Sequence, residues 1–113
     1  MKLNTLDRLS LLGILPRQGD MSTLRIVRDL EHELSFTEAE HAELKFRTAD
    51  GRVHWEPTAD RVKEVEFGPR AHRLIEDTLV ALDKNKRLPF ELMSLFERFV
   101  PEESDNDKSQ KSG

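Results

Sequence analysis

The chain predicts an α+β fold, with about five short helices packed on a small two- or three-stranded antiparallel sheet. Three observations carry this. Asp50-Gly51 sits between two runs of alternating polar and apolar residues. Leucine-rich stripes recur at helical spacing on both sides of that turn. Thr37 to Glu40 reads T-E-A-E, a capping box.

The hairpin comes first, because the rest is expected to be arranged around it. A type I′ turn needs positive φ at both central residues, and Asp-Gly supplies them. Phe46 and Thr48 alternate with Lys45 and Arg47, and Val53 and Trp55 with Arg52 and His54. One face of the ribbon is then apolar and the other wet. Val62 to Phe67, with Val65 and Phe67 on one face, is expected to add a third strand, and the flanking helices to cover the apolar side.

Asn4 suits the cap of a first helix, with Asp7 in its positive first turn. Leu6, Leu9 and Leu12 mark its expected apolar side, Gly13 its expected end, and Ile14 the hydrophobic contact of a Schellman end. Residues 16–20 form a loop. Asp20 or Ser22 caps a second helix to about Leu34, with Leu24, Val27, Leu30 and Leu34 on its stripe. Phe36 takes the staple position before the Thr37 box, and the third helix ends near Leu44. Pro57 ends the strand ladder. Pro69 opens the strongest helix, with Ala71, Leu74, Ile75, Leu79 and Leu82 inward. Pro89 opens the last, anchored by Phe90, Met93, Leu95 or Phe96, and Phe99. The domain is expected to span 1–100. Residues 101–113 lack apolar anchors after the proline and are expected to be a disordered polar tail.

Composition narrows function. Of 113 residues, 36% are hydrophobic and 35% charged, the net charge is −4, and there is no cysteine. The charge balance weighs against a free-standing nucleic-acid binder. Without cysteine there is no disulfide, thiolate metal site or cysteine nucleophile. No apolar run approaches a membrane span, and Asp7 and Arg8 interrupt the start, so a soluble cytoplasmic protein is expected.

No chemistry-bearing constellation emerges, so no enzyme and no cofactor is expected. The glycines are scattered and form no phosphate-cradling loop. No two histidines share the i, i+4 spacing of a helical metal site. Glu31 to Glu43 holds five glutamates and two histidines, which suits a solvated helical surface better than a metal site. His54 and Trp55 are strand neighbours and should face opposite ways, so they are not expected to meet one ligand. No nucleophile lies beside His54 and Glu56.

A protein partner is therefore the leading expectation, with Trp55, Phe90, Met93, Phe96 and Phe99 as candidate interface residues and a homodimer as one form of it. The alternative is a nucleic-acid-associated accessory factor using Arg25, Arg28, Lys84, Lys86 and Arg87. No aromatic residue interleaves that basic set, so nucleic acid is the weaker partner. A small structural or oligomeric protein is a further option.

The run LLGILPRQGDMSTLRIVRDLEHELSFTEAEHAELKF, followed by Trp55 and then by VKEVEFGPRA and LFERFV, resembles a group of small uncharacterised proteins encoded by tailed phages and prophages. The likeness spans about residues 9–100. It implies a setting, a phage-encoded accessory protein in the bacterial cytoplasm, and transfers no activity and no site residue.

Overall fold

In the computed structural model, which describes residues 1–101, the element order is β1 (Lys2–Leu3), α1 (Thr5–Ile14), α2 (Met21–Leu34), α3 (Glu38–Leu44), β2 (Arg47–Ala49) and β3 (Arg52–His54). A 3₁₀ turn at Pro57–Ala59 follows, then β4 (Lys63–Glu64), α4 (Pro69–Lys84), a 3₁₀ turn at Phe90–Leu92 and α5 (Met93–Phe99). This is an α+β arrangement with five helices, as the sequence predicts. The expected polar tail lies, beyond Pro101, outside the described residues.

The local signals are formed. Asn4 and Asp7 close a capping box on α1, Thr37 and Glu40 close one on α3, and Asp20 caps α2. Asp50 at φ 56 and Gly51 at φ 74 make the reversal between β2 and β3, where Arg47 pairs with His54 and Ala49 with Arg52.

The strands associate differently from expectation. The third strand does not join the hairpin. Lys63 and Glu64 pair antiparallel with Leu3 and Lys2, and the Val65 N–H continues the ladder to the Met1 carbonyl. Among the described residues there are thus two separate two-stranded sheets. Every residue of β2 and β3 is exposed, Val53 by 46%, so no helix layer covers the ribbon. Alternation gave the hairpin two faces, but the helices spend their apolar stripes on one another.

The core forms where α1, α2, α4, α5 and the β1/β4 pair meet. Leu11, Leu15, Val27, Leu30, Leu34, Ile75, Leu79, Leu92, Leu95 and Phe99 are buried in it, with Leu3 and Val65 from the small sheet. The stripes of α2 and α4 face inward as predicted. The face of α1 does not. Thr5, Arg8 and Leu11 are buried, while Leu9 and Leu12 are half-buried and Leu6 is 40% exposed. Gly13 lies inside α1 instead of ending it. The helix stops at Leu15, which the following Pro16 holds extended.

Candidate protein-docking surface

The last segment turns the expected aromatic stripe into two sets. Pro89 opens a 3₁₀ turn before α5, closed by the Leu92 N–H on the Pro89 carbonyl at 3.0 Å. That turn shifts the helical phase, so Leu92, Leu95 and Phe99 point inward. Phe99 is 2% exposed, with its ring 5.2 Å from Phe67 and 5.0 Å from His72. It is core in this chain, not surface, which corrects its candidacy as an interface residue. Phe96 is half-buried against the same core. Phe90 and Met93 are left outside, 83% and 49% exposed.

Their chain neighbours Pro89, Glu91 and Leu92 line a groove. Leu6, Leu9 and Ile14 of α1 form one wall, and Pro89 and Leu92 the other, enclosing about 320 Å³. Ser10 and Glu91 bring the polar side chains. Leu6, 40% exposed on the rotated face of α1, adds apolar surface to this groove. Chemically this surface offers dispersion and apolar burial, with few groups to orient a small substrate.

Trp55 sits elsewhere, at the base of the hairpin. Phe36, His41, Phe46 and Trp55 form a run of edge-to-face ring contacts, with Phe46 5.1 Å from Phe36 and 6.2 Å from Trp55. The Arg8 guanidinium caps the run, 3.9 Å from the Phe36 ring centre. His54 and Trp55 border one open depression with Val53, Pro57 and Asp60, contrary to the expectation that they could not share a ligand. β3 ends at His54, so strict alternation no longer governs Trp55. The Asp60 carboxylate there is already occupied: its Oδ1 accepts the Thr5 N–H at 3.0 Å and the Thr5 hydroxyl at 2.6 Å.

Arg8 is the residue that sequence reasoning missed. Its side chain is 2% exposed in a helix whose leucines suggested a different inward face. Nε donates to the Leu34 carbonyl at 3.1 Å and Nη2 to the Ser35 carbonyl at 2.6 Å. Nη1 and Nη2 reach both Glu40 oxygens, at 2.7 and 3.1 Å. One guanidinium thus satisfies the last carbonyls of α2 and grips the α3 cap. The Arg8 hydrogen bonds hold the Glu40 carboxyl at about 2, well below its ordinary 4.5, against a desolvation penalty in the other direction. Both Glu40 oxygens are engaged by the fold, Oε1 also accepting the Thr37 N–H at 2.8 Å, so this displaced carboxyl has a structural cause.

The basic candidates are distributed over two helices. Arg25 and Arg28 are exposed on α2, where Arg28 lies 3.4 Å from Asp29. Lys84, Lys86 and Arg87 are exposed where α4 ends, and no ion pair among the described residues involves them. Lys86 adopts φ 57, and the bonds from Lys86 N–H to Asp83 and from Arg87 N–H to Leu82 complete a Schellman end. Cations at that position also complement the helix dipole.

Among the described residues no group of three or more metal-ligating side chains comes together, and no helix is long and apolar enough to cross a membrane. No protein-family model, curated protein or solved structure matches the chain.

Proposed function

We propose that this chain is a non-catalytic protein-binding module, encoded by a phage or prophage and working in the host cytoplasm. It docks on a partner protein through exposed Phe90 and Met93 and the apolar groove that Leu6 lines. The observation that carries the reading is Phe90 at 83% exposure on a 3₁₀ turn between Pro89 and buried Leu92. Burying a phenylalanine side chain contributes about 1.5–3 kcal/mol, so leaving one in water is a standing incentive to associate. Aromatic anchors beside a pocket are the usual centres of binding energy in protein interfaces.

The test is a capture experiment from lysate of bacteria that also express the untagged chain, with wild type beside a Phe90→Ala, Met93→Ala double variant. Circular dichroism should show both folded, because neither side chain supports the core. The expected result is a specific protein retained by wild type and lost by the variant. Identical captures from both would overturn the reading.

A further inference from the structure

We propose that a second copy of this chain occupies the groove between α2 and the β4–α4 junction, by inserting the segment Lys84–Phe90. This rests on Phe90 being a docking residue and names its partner.

The groove encloses about 400 Å³ over an apolar floor of Ile26, Leu30 and Phe67. Its rim carries Asp29, Glu33 and Glu66, with Arg70 as the one opposing charge. The side chains of Glu33 and Glu66 are exposed and enter none of the ion pairs among the described residues. An occupant must therefore bring an apolar anchor and cations close to it.

The chain itself carries that combination. Lys84, Lys86 and Arg87 precede Phe90, all exposed and without an ion pair among the described residues. The Schellman bonds and Pro89 fix the segment's backbone, so little conformational freedom is lost when it docks. Glu33 and Glu66, both outside the ion pairs of the described residues, border an apolar floor and meet three cations beside an aromatic ring.

Geometry makes the contact intermolecular. The groove lies at the first turn of α4 and the basic segment follows its last turn. A 16-residue helix separates them by about 24 Å. No chain can reach its own groove across its own rigid helix. A two-fold axis crossing α4 makes the two junctions equivalent and closes the assembly as a pair.

Size exclusion with light scattering on the full chain tests this through complementary charge reversals. Wild type should approach twice the chain mass as concentration rises. Glu33→Lys with Glu66→Lys reverses the groove, and Lys86→Glu with Arg87→Glu reverses the segment. Each variant alone should remain at monomer mass. Mixed, they should regain the paired mass, because one junction is then native and the other has both signs exchanged. Wild type that stays monomeric at every concentration would overturn the proposal, as would variants that pair alone or fail to pair when mixed. If wild type is monomeric while Phe90→Ala still abolishes capture of another protein, self-pairing is wrong and the docking surface stands.

Discussion

The helical half around Ile75, Leu79 and Phe99 and the hairpin end around Phe46 and Trp55 are held together by different physics. The first closes by apolar burial, with its central side chains at 0–2% exposure. The second has half-buried rings, two exposed strands and a closing bond from the Glu56 N–H to the Leu44 carbonyl at 2.8 Å. Between them stands Arg8, which bonds the end of α2 and the start of α3 at once. A chain with 36% hydrophobic residues can fill one core well. Its second end must then be attached by hydrogen bonds and ring contacts, and a buried arginine supplies several from one side chain.

The attachment should be the most sensitive point. Arg8→Ala leaves two backbone carbonyls without their donor and the Glu40 carboxylate with only the Thr37 N–H. We expect a loss of about 3–5 kcal/mol in urea denaturation, a large part of a small domain's stability. Arg8→Lys should not restore it, because an ammonium cannot make the bidentate bond and lie over Phe36. A near-wild-type Arg8→Ala would mean that the two regions are not joined through this residue.

Within the two regions the contrast should be equally plain. Leu79→Ala should cost about 2–5 kcal/mol, because it opens a cavity in a filled core. Val53→Ala, in the exposed hairpin, should stay within about 0.5 kcal/mol. Comparable losses at both positions would make the hairpin part of the core after all.

Acid should weaken the junction through Glu40. Its folded value, about 2, lies below the ordinary 4.5, so its stabilisation is fully present above pH 4.5. It is lost as pH falls from there toward 2, when the folded state must take up a proton the unfolded state already holds. Denaturation midpoints across that window should drop by the equivalent of about 1.5–3 kcal/mol, the worth of a charged hydrogen bond. Glu40→Gln should start lower and vary less. An unchanged slope in that variant would remove Glu40 from the account.

Two lysines lie in the left-handed region, Lys45 at φ 52 after α3 and Lys86 at φ 57 after α4. Glycine relieves that strain, so Lys86→Gly should stabilise the protein by up to about 1 kcal/mol. Lys45→Gly should contribute less to global stability, because the hairpin end opens before the core does. Hydrogen exchange would read the same difference as weaker protection of amides 46–55 than of amides 72–82. Equal gains at both lysines would make the molecule one cooperative unit.

What could be read from residues alone follows the range of the interaction. The Asn4 and Thr37 caps, the Asp50-Gly51 reversal, and the stripes of α2 and α4 each depend on residues within a few positions, and each is formed. The rotated face of α1 was hidden because Leu6, Leu9 and Leu12 make a more apolar stripe than the inward Thr5, Arg8 and Leu11, and Arg8 does not look like a core residue. Only its distant partners make its burial tolerable. The β1 strand was hidden because two residues carry no periodicity. In the candidate surface, Phe90 and Met93 were legible as a pair of large side chains. That Phe99 turns inward while they turn outward depends on a phase shift at Pro89.

By itself, the amino-acid order determined where helices begin, where the chain reverses, and that one modest core would form, since caps, turns and stripes are local energies. Tertiary structure alone decided which side of α1 is inside, that the third strand pairs with the first residues, and which aromatic side chains face solvent. Those outcomes depend on which surfaces compete for the same buried volume, and that competition is settled only when all the elements meet.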